Sequence, residues 1–185
     1  MKIFLYFLLN VIFVSISVLP QSNAQTNSST NDTLPTGNLT GTPQPDTLTG
    51  TAQPGNLTGT PQPDTLTGTP QPDSLTGTTS DDIIFGGAGF DNITGNQGND
   101  EIDGGVGGDR IMGQIGNDLI FGGIGNDNIS GGEGNDDLYG GPGADFLDGG
   151  LGADYFDCGT SSDTISNVNI SEGDIAMANC EKMAK

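Results

Sequence analysis

Residues 86–157 read GGAGFDNIT GNQGNDEID GGVGGDRIM GQIGNDLIF GGIGNDNIS GGEGNDDLY GGPGADFLD GGLGADYFD, eight nine-residue units in phase without an insertion. A looser unit, GTTSDDIIF, precedes them at 77–85, and CGTSSDTIS follows at 158–166. Numbered within the unit, position 6 is Asp in all ten: Asp82, Asp91, Asp100, Asp109, Asp118, Asp127, Asp136, Asp145, Asp154 and Asp163. Position 8 is always large and apolar, from Ile84 and Ile93 to Leu147, Phe156 and Ile165. Position 4 is Gly in the eight central units and Ser at Ser80 and Ser161. A strict period of this kind marks a solenoid, in which each unit buries its apolar residue only against its neighbours.

Each column has a chemical reading. Residues 7–9 alternate outward, inward, outward in a strand, so position 8 alone can feed a core. Gly at positions 1, 2 and 4 permits positive φ and close approach of backbone to backbone. The turns around Gly86, Gly89, Gly95, Gly98, Gly104, Gly107, Gly113 and Gly116 can therefore be lined with carbonyls. So can those around Gly122, Gly125, Gly131, Gly134, Gly140, Gly143, Gly149 and Gly152. Position-6 Asp adds hard anionic oxygen, the ligand type calcium prefers. A merely solvated acidic face would not hold its acids at one position beside turn glycines. Glu101, Asp103, Glu133, Asp137, Asp148 and Asp157 lie outside that column and are expected to face solvent.

Over about 90 residues, 77–166, these units resemble the G-G-x-G-x-D-x-U-x pattern of hemolysin-type calcium-binding (RTX) repeats. The resemblance implies an all-β fold, a right-handed parallel β-roll in which each nonad is a six-residue turn followed by a short strand. Two nonads complete a coil, and calcium ions sit between turns stacked on the same side. The ten column aspartates and the carbonyls of the glycine turns would be the metal ligands. Pairing of turns two nonads apart gives an expected six to eight calcium ions per chain. Stacked carboxylates repel one another, so folding is expected to require the ion.

Composition narrows the function. With 24 acidic and 4 basic residues the formal charge is 4 − 24 = −20, and there is no His. His-based acid–base catalysis and His-ligated zinc are thereby excluded. A polyanion of this size repels nucleic acid and anionic lipid. No H-E-x-x-H or G-x-S-x-G motif is present, so the chain reads as a non-enzyme. The expected role is a secreted calcium-binding structural, adhesive or cell-surface-associated module. The alternative is an accessory calcium-binding domain of an extracellular enzyme or secretion system, with catalysis supplied by a partner.

Outside the repeats, residues 1–24 read as a secretory signal peptide, with an apolar run from Ile3 to Leu19 and cleavage after Ala24, leaving no stable membrane span. Residues 25–76 keep the nine-residue period, with Leu48, Leu57, Leu66 and Leu75 at position 8. Thr replaces the second Gly there, Gln replaces the fourth, and Pro occupies positions 3 and 5 in most units. That composition is read as a disordered, polyproline-like stalk. Residues 167–185 are expected to cap the roll with a strand pair at 167–170 and 173–176. Cys158 and Cys180 are expected to form a disulfide in an oxidising compartment. Alternate units should build opposite sheets. Ile83, Phe85, Leu119, Phe121, Tyr139 and Tyr155 then gather outward on one sheet, offering a cell-surface, matrix or protein partner a contact centred on Leu119 and Phe121.

Overall fold

The structure, a computed structural model, describes residues 38–40, 47–50, 55–180 and 182–183, with strands 38–40 and 182–183 described by backbone alone. The signal-peptide expectation for 1–24 lies outside the described residues. Seventeen strands and no helix make up the described chain. Five three-residue strands come first: β1 (Asn38–Thr40), β2 (Thr47–Thr49), β3 (Asn56–Thr58), β4 (Thr65–Thr67) and β5 (Ser74–Thr76). Six six-residue strands follow: β6 (Ile83–Ala88), β7 (Asn92–Gln97), β8 (Glu101–Val106), β9 (Arg110–Ile115), β10 (Leu119–Ile124) and β11 (Asn128–Glu133). The series ends with β12 (Asp137–Tyr139), β13 (Phe146–Leu151), β14 (Tyr155–Asp157), β15 (Thr164–Ser166), β16 (Ile175–Ala176) and β17 (Lys182–Met183). Among the described residues no helix is long and apolar enough to cross a membrane.

Odd-numbered strands form a nine-stranded sheet and even-numbered strands an eight-stranded one, every pairing parallel. Residue i faces residue i+18, as in Ile93↔Ile111 and Ile102↔Ile120. Two nonads therefore make one coil, and the fold is an all-β parallel solenoid. Position 8 of each unit forms the interior. Leu57, Leu75, Ile93, Ile111, Ile129 and Leu147 from one sheet meet Leu66, Ile84, Ile102, Ile120, Leu138 and Phe156 from the other, all with zero exposure. One apolar side chain per nonad is a thin core, and each removed methylene leaves a space its neighbours cannot fill.

The roll begins earlier than the sequence suggests. Residues 47–76, read above as stalk, pair in the same register, Leu57↔Leu75 and then Leu75↔Ile93. Their leucines continue the core without a break. The prolines do not prevent this, because Pro61, Pro63, Pro70 and Pro72 lie outside the three-residue strands β4 and β5, whose ladder donors are intact. The stalk reading is corrected for the described part of 25–76; residues 25–37, 41–46 and 51–54 lie outside the description.

The C-terminal cap differs in detail from the expected pair. Ile175–Ala176 adds to the eight-stranded sheet beside β14, but 167–170 is not a strand. Asn167 takes a φ of 53°, which turns the chain out of the ladder, and Val168 then folds against the core end. Lys182–Met183 supplies the second strand, beside β15. A disulfide joins Cys158, buried in the core, to Cys180 of the cap, with their Cα atoms 5.1 Å apart.

Truncation of Ile120, fully buried, should therefore cost about 2–4 kcal/mol in Ile120→Ala. Ile124→Ala, four residues along at the exposed end of the same strand, should stay within about 0.5 kcal/mol. Denaturant titration in excess calcium compares the two. Equal costs would mean that position 8 is not the core.

Candidate metal centre

The turn between consecutive strands places each position-6 Asp inward at the edge of the roll. All ten column aspartates are at most 3% exposed, a rare condition for a carboxylate without a cationic partner. Their Oδ1 atoms have a structural task. Each accepts the backbone N–H of the aspartate one coil earlier, as in Asp100 N to Asp118 Oδ1 at 2.8 Å and Asp127 N to Asp145 Oδ1 at 2.9 Å. The carboxylates thus form two continuous hydrogen-bonded columns, one along each edge.

The Oδ2 atoms differ. In Asp91, Asp100, Asp109, Asp118, Asp127, Asp136, Asp145, Asp154 and Asp163 this atom is buried with no hydrogen-bond partner. Nine orphaned carboxylate oxygens in one molecule are far outside ordinary protein structure. A second oxygen approaches most of them. A Cβ built on Gly122 would lie 2.6 Å from Asp127 Oδ2 and 2.7 Å from the Gly140 carbonyl of the next coil. On Gly140 it would lie 2.6 Å from Asp145 Oδ2 and 2.7 Å from the Cys158 carbonyl. Only glycine leaves this cradle open. The same meeting of Oδ2 with a next-coil carbonyl occurs for Asp91, Asp100, Asp109, Asp118, Asp127, Asp136 and Asp145.

Such a cradle fits a hard divalent cation. It offers anionic carboxylate oxygen and backbone carbonyl oxygen, and among the described residues no three or more acidic, His or Cys side chains gather as a metal cluster, so the carbonyls would have to complete the set. One carboxylate per turn together with backbone carbonyls is a donor set calcium accepts. The ion would supply the positive charge that these buried oxygens lack.

Asp82 departs from the other nine. Its Oδ2 accepts hydrogen bonds from the Thr78 backbone N–H at 2.7 Å and the Thr78 hydroxyl at 3.0 Å. Asp73 is bound the same way by Thr69, at 2.6 and 2.8 Å, and the Thr60 N–H donates to Asp64 Oδ2 at 2.6 Å. Asp174 is a further member that sequence reasoning missed. Its Oδ1 accepts the Asp154 N–H, and the Asn169 N–H donates to its Oδ2. The signal was the Gly173-Asp174-Ile175 triplet, a nonad remnant displaced by two residues from the period.

Electrostatics agree with a site that wants a cation. Burial, reinforced by the like-charged aspartates one coil away, raises the Asp91, Asp100 and Asp136 carboxyls to about 7 despite the hydrogen bonds they accept. Burial likewise raises Asp109, Asp118 and Asp145 to about 6. These are costs of burying charge, not of solvation lost at an exposed face.

The RTX calcium-binding nonapeptide repeat, in its four-copy form, matches overlapping stretches 58–93, 76–111, 86–120, 103–138, 121–156 and 130–165. Together they span 58–165, more than half of the 185 residues, and the chain belongs to this family of calcium-binding repeat proteins. No curated protein matches the chain significantly.

Two outcomes follow for the site. Because the folded pKa values lie above the ordinary 3.8, the metal-free roll takes up protons on folding between about pH 4 and 7. Its stability therefore falls as pH rises through that window. Calcium needs the deprotonated form, so its apparent affinity should fall as pH drops from about 8 to 5, with proton release on binding near pH 6–7. Calorimetry in buffers of different ionisation enthalpy measures both, and a flat affinity would contradict the assignment. Separately, Asp118→Ala strips the buried Asp100 N–H of its acceptor and should cost at least about 1–3 kcal/mol. Asp148→Ala, whose carboxylate meets only the exposed Asn167 amide, should cost under about 1 kcal/mol in the same melt.

Proposed function

We propose that the chain is a secreted, non-catalytic calcium-binding protein whose roll sets its fold on taking up about seven ions, and which acts as a structural or adhesive module. The observation that carries this reading is the set of nine partnerless Oδ2 atoms. Seven of them also have a next-coil carbonyl at the same glycine, a number within the six to eight expected from turn pairing. Without the ion, the buried carboxylates oppose folding; with it, binding and folding are one equilibrium. Isothermal titration together with circular dichroism tests this. About seven calcium ions should bind, with strand signal appearing in step. Two or fewer ions, or a calcium-independent spectrum across the repeats, would reject it.

For the adhesive role, support comes from the outer face of the eight-stranded sheet. Phe121 stacks on Tyr139 with ring centroids 4.9 Å apart, and Tyr139 meets Tyr155 at 5.7 Å. Ile83 and Phe85 are exposed on the same face, and Leu119 is half-buried there. The opposite sheet presents mostly small polar groups, Asn92, Thr94, Asn128, Ser130, Thr164 and Ser166, with Arg110, Met112 and the exposed Phe146 among them and, in its described residues, no ring stacked on another. The ladder is interleaved with Glu101, Asp103, Asp137 and Asp157, so a surface or protein that docks on it would bring apolar groups with positive charge. Leu119→Ser with Phe121→Ser should leave calcium-induced folding intact and weaken attachment to cells or matrix. Unchanged attachment would remove this face from the reading.

A further inference from the structure

The two kinds of turn separate without exception at position 2. All nine aspartates with an orphaned Oδ2 belong to turns whose second residue has a positive φ. That residue is usually Gly, as at Gly87 with φ 105°, but Asn96 (85°) and Gln114 (84°) adopt the same geometry. Thr60, Thr69 and Thr78 do not. A β-branched residue resists positive φ, so these turns close differently. The Thr69 and Thr78 N–H and hydroxyl both aim at the aspartate Oδ2. Two donors then occupy the place where other turns hold a bare oxygen.

The consequence is electrostatic. An N–H and an O–H pointing at one carboxylate oxygen present positive dipoles, which satisfy the charge and exclude a cation from it. Burial still raises Asp82, yet Asp64, Asp73 and Asp82 each have the hydrogen bonds that the nine lack. The Thr turns are built into the same coils, with Leu57, Leu66 and Leu75 fully buried and the ladder to β6 and β7 intact.

We propose that the turns closing on Asp64, Asp73 and Asp82 are a metal-free base of the roll. They hold no calcium, they keep their fold when calcium is withdrawn, and their open edge templates the assembly of the turns from Gly86 onward. Solenoid folding propagates from a nucleus to neighbouring units wherever that nucleus forms, so a preformed stretch removes the nucleation step from calcium-driven folding. This rests on the calcium reading of the nine turns above.

Hydrogen exchange followed by mass spectrometry on the full chain, in chelator and in excess calcium, tests the base directly. In chelator the amides of 55–85 should exchange at least about tenfold more slowly than those of 86–157, and calcium should slow only the latter strongly. Equal, fast exchange of both stretches in chelator overturns the proposal. Failure of calcium to protect 86–157 overturns the calcium reading instead. A second variant works by gain of a site. At Gly77 a Cβ would lie 2.8 Å from Asp82 Oδ2 and 2.6 Å from the Gly95 carbonyl, so the cradle is present and only the Thr78 donors fill it. Thr78→Gly should add one calcium ion per chain by titration and lower the protection of 77–85 in chelator. A calcium count that stays the same while the variant roll folds in calcium shows that Thr78 does not control the site, and overturns the proposal.

Discussion

Everything in this molecule depends on one carboxylate per turn that is asked to do two things. Its Oδ1 holds the backbone of the preceding coil, as Asp118 holds Asp100 and Asp145 holds Asp127. Its Oδ2 is left in the interior edge, and what meets that atom decides the character of the turn. The register of eighteen residues follows from the same contact. A shift of one residue would swing the leucine and isoleucine column to solvent and pull each Asp away from the N–H it accepts.

A second oxygen without a partner is destabilising, and the chain answers it in two ways. In nine turns a residue at positive φ accompanies an Oδ2 with no donor from the chain, the arrangement proposed above to receive a cation. In the Thr turns a hydroxyl and an amide supply the donors from the chain itself. The aspartates therefore change from internally hydrogen-bonded to unpartnered at Oδ2 along the roll while its core, register and sheet order stay constant. At the far end Asp174 is again satisfied by a donor of the chain itself, the Asn169 N–H, and the Cys158–Cys180 disulfide ties that cap to the last full turn.

Decoration of the outer faces is independent of this skeleton. Position 7 and 9 side chains contribute little to the core, so the two sheets are free to differ. One carries the Phe121–Tyr139–Tyr155 ladder and the other mainly small polar groups, with Arg110, Met112 and Phe146 isolated among them. Such freedom is what lets a repetitive scaffold present a specific surface.

Sequence alone determined the solenoid, its nine-residue unit, the Leu and Ile core and the aspartate column, because each is fixed by strict local period and needs no knowledge of distant contacts. The assignment of strands to opposite sheets followed from parity once the resemblance to RTX repeats supplied two nonads per coil. Tertiary structure decided where the roll begins and which aspartates remain unsatisfied. Proline and threonine in 47–76 looked incompatible with the glycine turn, and they are; the chain makes a different turn of equal span, which only the stacked Leu66↔Ile84 and Leu75↔Ile93 pairs reveal. Asp82 and Asp91 are indistinguishable by position in the repeat. They differ because the Thr78 hydroxyl reaches Asp82 Oδ2, whereas nothing reaches that of Asp91, and a hydrogen bond between residues four apart in a turn depends on the backbone path as well as on their identity.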